Sequence, residues 1–406
     1  MKAGWEIRSL GDIADVKGGK RVPKGYKLQS EPTKHPYITV SDFTDDGTID
    51  TSIIRFVSSL VFEQIKHYTI SSNDLYLSIA GTIGKSGRVP PELDGASLTE
   101  NACKLVLHPS IDRDFVYYFT KSNDFTKQAG INTRTAAQPK LALERLKTIK
   151  IPIPASLHEQ KRIVGILDET FEGITTAKAN AEKNLRNARA LFESHLQSVF
   201  TQRGNGWVET TLGDVCRFEN GDRGKNYPNR KEYVESGIPW INTGHIQPDG
   251  TLSQSEMHFI SREKYESLRS GKIQPGDLVY CLRGATLGKT ALVDPFTVGA
   301  VASSLVIIRP SDLLDRRFLY YFLTSPLGQG LIKLYDNGAA QPNLGAKSVA
   351  KYTISLPKLA EQEIIADKLD DLRAETQRLA SLYERKLAAL EALKKSLLHQ
   401  AFSGNL

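Results

Sequence analysis

Two stretches of the chain, residues 158–200 and 361–402, contain no proline and place apolar side chains at alternating steps of four and three. In the first, Ile163, Leu167, Thr170, Ile174, Ala177 and Ala181 set a stripe that Leu185, Ala188, Phe192, Leu196 and Val199 resume after an extra step of four. In the second, Ile365, Leu369, Leu372, Thr376, Leu379 and Tyr383 lead, by the same extra step, to Leu387, Leu390, Lys394, Leu398 and Ala401. This spacing predicts helices with a single apolar seam, and the extra step is a stutter that gives both the same supercoil. At ~1.5 Å per residue each helix is about 60 Å long. A helix of that length with one seam needs another against it, so the two are expected to pair as an antiparallel coiled coil.

Elsewhere the pattern changes to short β-branched and aromatic runs punctuated by Gly, Pro, Asn and Asp. Ser52 to Val57 and Asp277 to Leu282 read as strands. Phe115 to Phe119 and Phe318 to Phe322 read as short helices whose paired tyrosines are core. Proline marks both joints with the long helices, at Ile151-Pro152-Ile153-Pro154 and at Leu356-Pro357. The prediction is an α+β chain in four segments: a globular region over 1–157, a helix over 158–205, a second globular region over 206–359 and a helix over 360–406.

The two halves are one text written twice. Trp5, Leu10, Gly11, Asp12 and Gly19 return 202 residues later as Trp207, Leu212, Gly213, Asp214 and Gly221. Pro36, Ile38, Asp46, Gly47 and Thr48 return, displaced by 203, as Pro239, Ile241, Asp249, Gly250 and Thr251. Ala136 to Pro139 return as Ala339 to Pro342, and Glu159, Gln160, Leu167, Asp168 and Phe200 return as Glu361, Gln362, Leu369, Asp370 and Phe402. The fold should therefore carry an internal pseudo-two-fold repeat.

Composition narrows the function. With 40% hydrophobic and 24% charged residues in 406, the chain has enough apolar content for packed cores. No run approaches the roughly 18 apolar residues that span a bilayer, and the polar start does not read as a signal peptide, so a cytoplasmic location is expected. Cys103, Cys216 and Cys281 have no metal or redox spacing and read as buried thiols. The net charge is +7. Charges balance within the first long helix and are slightly acidic in the second, so the basic excess lies in the globular regions, where a phosphate backbone would want it.

Gly81-Thr82-Ile83-Gly84-Lys85-Ser86 and Gly284-Ala285-Thr286-Leu287-Gly288-Lys289-Thr290 look like phosphate loops but have too few residues between their glycines. They read instead as glycine-permitted hairpins presenting Lys85, Arg283 and Lys289. Lys20, Arg21 and Lys24 in one half, and Arg223 and Lys225 in the other, form basic loops after the first strand. Arg134, Gln138 and Lys140, with Gln341 and Asn343 in the repeat, sit at turns where amide and cationic side chains suit base edges and phosphates. Catalytic patterns are missing: no His-Glu-x-x-His, no Gly-x-Ser-x-Gly and no tetrapeptide of the Asp-Pro-Pro-Tyr kind. Binding without catalysis is the expectation.

Taken together, the repeat, the joints running into His158-Glu159-Gln160-Lys161-Arg162-Ile163 and Ala360-Glu361-Gln362, and the Gly284 to Lys289 and Gln341-Pro342 landmarks resemble the specificity subunit of type I restriction-modification enzymes. The resemblance covers nearly the whole chain. It implies two target recognition domains, each reading one half of a bipartite DNA sequence, held apart by the helix pair. It also implies two methyltransferase subunits docked on the helices around Glu159, Gln160, Glu361 and Gln362, and two motor-nuclease subunits in the restriction form. DNA methylation, and with it S-adenosylmethionine and ATP, would belong to those partners, and this chain would hold no cofactor or metal. The two globular regions differ in most loop residues, so the target should be asymmetric. A freestanding DNA-binding coiled-coil regulator is the alternative from another class.

Overall fold

The structure, a computed structural model, describes residues 4–131, 140–202, 204–335 and 343–406, with Ile131 described by its backbone alone. The chain forms two compact units, Met1–Ala181 with Arg385–Leu406, and Glu182–Glu384. The second is one continuous stretch, and the first joins the beginning of the chain to its end. Each long helix, Leu157–Thr201 and Leu359–Ser403, gives one part of its length to each unit.

In the first unit Trp5–Ser9 pairs antiparallel with Lys150–Pro154, bringing the start of the globular region to the foot of the long helix. A four-stranded antiparallel sheet follows in the order Ala14–Gly18, Ala102–Leu107, Leu75–Ser78, Ser86–Arg88. A second sheet runs Arg55–Phe56, Pro36–Ile38, Ala96–Leu98, Thr69–Ile70, with one parallel pair between Pro36–Ile38 and Ala96–Leu98. The strand expected over 52–57 is mostly a turn. Asp50 accepts the Ser52 N–H at 3.0 Å and starts a 3-10 turn over Thr51–Ile53, which leaves only Arg55–Phe56 extended.

The short helix Arg113–Thr120 is capped by Asp112 and buries Phe115 to Phe119, so the tyrosine pair is core, as read. One cluster joins this helix to Ile163, Val164 and Leu167 at the start of the first long helix and to Leu398, Ala401 and Phe402 at the end of the second. Phe402 meets Phe115 and Phe119 edge-on at 5.1 and 5.3 Å.

The second unit repeats this plan. Val208–Thr211 pairs with Thr353–Leu356, and a sheet of the same order forms from Cys216–Asn220, Leu305–Pro310, Leu278–Cys281 and Thr290–Leu292. The other sheet runs Tyr233–Val234, His258–Ile260, Ile238–Ile241, Ala300–Val301: it gains an edge strand at Tyr233–Val234, and where the first unit has Thr69–Ile70 it keeps only a bridge from Lys272 to Ala300. Phe200 takes the part of Phe402, edge-on to Phe318 and Phe322 at 5.1 and 5.7 Å.

The helices are antiparallel within each unit. Arg162 donates to the Leu406 carbonyl and Lys178 pairs with Glu391 in the first; Arg189 pairs with Glu384 in the second. Every seam position read from the sequence is buried or half-buried except Lys394. That lysine is exposed and places its ammonium 5.2 Å from the Phe171 ring centroid, so its seam position is filled by an alkyl stem with a charged tip. All three cysteines are buried and free, and among the described residues no helix is long and apolar enough to cross a membrane.

Candidate nucleic-acid interface

In the second unit, strands Leu278–Cys281 and Thr290–Leu292 are joined by a loop in which Gly284 and Gly288 take φ of +77° and +85°. A Cβ on Gly288 would fall 2.3 Å from Ile332, so the loop folds back closely on the helix behind it. The connection is longer than the tight hairpin expected, and it leaves Lys289 exposed. Arg283, at the loop's start, forms an antiparallel bridge with Asn343, held on either side by Leu282 N–H to Ser304 O and Leu344 N–H to Leu282 O, both 2.9 Å.

The basic loop after Cys216–Asn220 reaches the same place. Gly221 passes so close to the neighbouring strand that a Cβ would sit 2.4 Å from the Ala302 carbonyl. Arg223 follows, and its guanidinium donates to the Ser303 carbonyl at 3.3 Å. Residues from three distant parts of the sequence, Arg223, Arg283 and Asn343, thereby line one cleft of about 470 Å³ together with Asn220 and Ser270. Lys225 and Lys289 are exposed outside that lining.

The first unit has the same backbone and different chemistry. Gly19 makes the same close approach, 2.1 Å from a Cβ to the Thr99 carbonyl, and leads into Lys20, Arg21 and Lys24, all exposed. The bridge that corresponds to Arg283 and Asn343 joins Ala80 to Lys140, an exposed lysine. Arg21, the counterpart of Arg223, is ion-paired with Glu100 where the second unit has the neutral Ser303. Lys20 lies 5.6 Å from the Tyr68 ring centroid. Lys85 differs from Lys289: its ammonium donates to the Phe43 carbonyl and pairs with Asp45, both at 2.9 Å, and so ties its own hairpin down. Arg134, Gln138 and Gln341 lie outside the described residues.

The residues expected to dock partners have internal work. Gln160 is buried; its Oε1 accepts the Asp112 N–H at 2.7 Å, and its Nε2 donates to the Pro154 and Ser110 carbonyls at 3.0 and 3.3 Å. Gln362 repeats this with Asp315, Pro357 and Leu313, each at 2.9 Å. These amides fasten each globular region to its helix. Glu159 binds Arg162, and Glu361 accepts the Trp207 indole N–H at 3.1 Å.

Burial pushes the Cys103 and Cys216 thiols up to about 12, which makes them packing groups and not nucleophiles. Among the described residues no group of three or more His, Cys, Asp or Glu is placed to hold a metal ion.

The family described as the type I restriction modification DNA specificity domain matches residues 2–185 and again 204–384. The chain is 22% identical to the type I restriction enzyme MjaVIII specificity subunit of Methanocaldococcus jannaschii, over 99% of this chain and 93% of that one. It is 23% identical to the EcoBI specificity subunit of Escherichia coli, over 77% of this chain and 69% of that one. Among solved structures, the HsdS subunit from Thermoanaerobacter tengcongensis shares its fold at a TM-score of 0.66 and 21% identity, covering 100% of this chain and 98% of that one. A chain from a study of assembly and conformational transition in the type I restriction-modification system does so at 0.78 and 20% identity, covering 100% and 99%. With both halves matched, the chain belongs to the type I restriction-modification DNA specificity family, as a specificity subunit.

Proposed function

We propose that each globular region reads one half of a bipartite, asymmetric duplex target, and that the long helices carry the methyltransferase subunits of a type I complex. The observation that supports this most is the pair of equivalent bridges. At matching backbone positions the second unit offers Arg283 beside Asn343 and the first offers Ala80 beside Lys140. Arginine suits guanine O6 and N7, asparagine suits adenine N6 and N7, and alanine offers only a methyl contact, so the two positions favour different bases. Arg223, Lys225 and Lys289, with Lys20, Lys24 and Lys140, act on the phosphate backbone. Lys85 and Arg21, already paired with carboxylates, add less.

Docking falls to the outward faces of the helices, where Leu191, Ile364, Leu382 and Leu393 are exposed. Methyl transfer, motor activity and their cofactors S-adenosylmethionine and ATP belong to the partners, two methyltransferase and two motor-nuclease subunits in the restriction form. Methylome sequencing of a host expressing the complex tests the reading: an asymmetric motif in two parts is expected, and a palindromic or undivided motif overturns it.

A further inference from the structure

In each unit a tyrosine pair grips two things. Tyr117 donates to the Asp46 carbonyl at 3.0 Å, and the Asp-Gly turn lies so close that a Cβ on Gly47 would be 2.2 Å from that hydroxyl. A Cβ on Gly250 would fall at the same 2.2 Å from the Tyr320 hydroxyl. The second tyrosine of each pair donates to an aspartate of the long helix, Tyr118 to Asp168 and Tyr321 to Asp370. The pair thus links a turn of the globular region to the helix.

The cation over the first tyrosine comes from different elements in the two units. In the first, Arg88 on the strand Ser86–Arg88 lies 4.2 Å from the Tyr117 centroid and pairs with Asp114 at 2.6 Å. The long helix contributes Phe171, edge-on to Tyr118 at 5.4 Å. In the second unit the strand position is Leu292, matched by its backbone: Arg88 N–H donates to Gly47 O at 2.9 Å, and Leu292 N–H to Gly250 O at 3.1 Å. The counterpart of Asp114 is Arg317, paired with Asp367 and Asp370. The counterpart of Phe171 is Arg373, whose guanidinium lies 5.4 Å from the Tyr320 centroid and donates to the Asp249 carbonyl. Cation and apolar side chain have exchanged places between strand and helix, while the cation over tyrosine is retained.

The exchange has a mechanical consequence. In the first unit the Asp-Gly turn is held from within the globular region, and the helix reaches it only indirectly, through Asp168 and Phe171 on Tyr118. In the second the helix itself holds the turn, through a directional charged hydrogen bond. We propose that Arg373 is a positioning residue that fixes the orientation of the second recognition region on its long helix, and so restricts the number of base pairs accepted between the two half-sites. This rests on the bipartite reading proposed above.

The test is methylome sequencing of hosts expressing the complex with the wild-type chain, with R373F, and with L292R/R317D/R373F, which rebuilds the first unit's arrangement in the second. R317D is included because Arg317 would otherwise repel the new arginine. R373F should methylate sites with longer or shorter spacers while the bases of both half-sites stay the same, and the triple exchange, which returns a cation to Tyr320 from the strand but leaves the helix without its hold on the turn, should show the same broadening. An unchanged spacer in R373F, altered bases in the second half-site, or a triple exchange that returns the single spacer overturns the proposal. A wild type without a bipartite motif overturns the proposed function instead. If R373F does not accumulate, R373M keeps the length of the side chain but removes both the donor for Asp249 and the charge over the ring; it must show the same broadening, and a wild-type spacer there overturns the inference.

Discussion

Gln362 accepts the backbone N–H of Asp315 at 2.9 Å, and through its amide nitrogen closes off two carbonyls at the joint between the second globular region and its helix. Three backbone groups that the chain buries at this joint are satisfied by one side chain, and Gln160 does the same in the first unit.

Gln362→Ala should therefore cost about 1–3 kcal/mol of stability, the penalty of buried polar groups left unpaired. Gln362→Glu should be at least as harmful, since it sets a carboxylate against two carbonyls. Denaturant unfolding checks both. An unchanged midpoint combined with lost co-purification of the methyltransferase subunits would return these glutamines to a docking role.

The cleft of the second unit separates base reading from phosphate contact. Arg283→Ala should cost about 1–3 kcal/mol on the best target and relax one position of one half-site. Lys289→Ala should weaken all sequences alike and reduce the salt slope by about one. Arg21→Ala should change less than Arg223→Ala, because Glu100 already neutralises Arg21. Fluorescence anisotropy across a salt series distinguishes these; equal, sequence-independent losses for Arg283→Ala and Lys289→Ala would remove base reading from the cleft.

What the sequence revealed and what it hid follow from the range of the signals. The long helices are legible because a seam repeats every few residues, and the second copy at a spacing of 202 shows the same stutter. Arg223, Arg283 and Asn343 were each visible as polar residues at glycine- or proline-marked turns, but only the sheet register brings them to one cleft. Arg373 gave no signal: it looks like an ordinary helix-surface cation, and its partners Tyr320 and Asp249 lie far off in the chain. The pairing of Lys85 with Asp45 was not legible, because a lysine in a hairpin looks the same whether it faces solvent or reaches back to a carboxylate. The strand read over 52–57 failed because the Asp50 cap, a local hydrogen bond, outweighs the β-branched pattern.

Helix length should set spacer length. The first long helix leaves one unit and enters the other, so inserting four residues at the stutter after Ala181, with four more at the matching stutter after Tyr383, preserves both seams. This lengthens the antiparallel pair by about 6 Å, at ~1.5 Å per residue. The methylome of that variant should show the same half-sites with a longer spacer. The same spacer with changed half-sites would mean that the helices do not act as a ruler.

A lysine inside the first unit should leave a mark on the pH dependence of stability. Lys121 donates to the Ser86 carbonyl at 2.7 Å, with its ammonium 5.1 Å from the Tyr117 centroid. Lys394 from the second long helix and Lys85 and Arg88 from the hairpin add positive charge around it, and Asp45 offsets them in part. Burial first, then Lys394, lowers its pKa to about 8 from the ordinary 10.5. Below pH 8 the group is charged in both the folded and unfolded chain, and the cost of holding it is fully present. Between 8 and 10.5 the folded chain has released a proton that the unfolded chain retains, so this group's contribution to stability improves as pH rises. Lys121→Met has no such proton. The stability of wild type relative to Lys121→Met should therefore rise by on the order of 1 kcal/mol between pH 7.5 and about pH 9.5. Taking the difference between the two proteins cancels the tyrosines and other lysines that titrate nearby. Urea midpoints for both proteins at several pH values measure it, and a difference that stays flat across that window would show that Lys121 keeps an ordinary pKa in the folded chain.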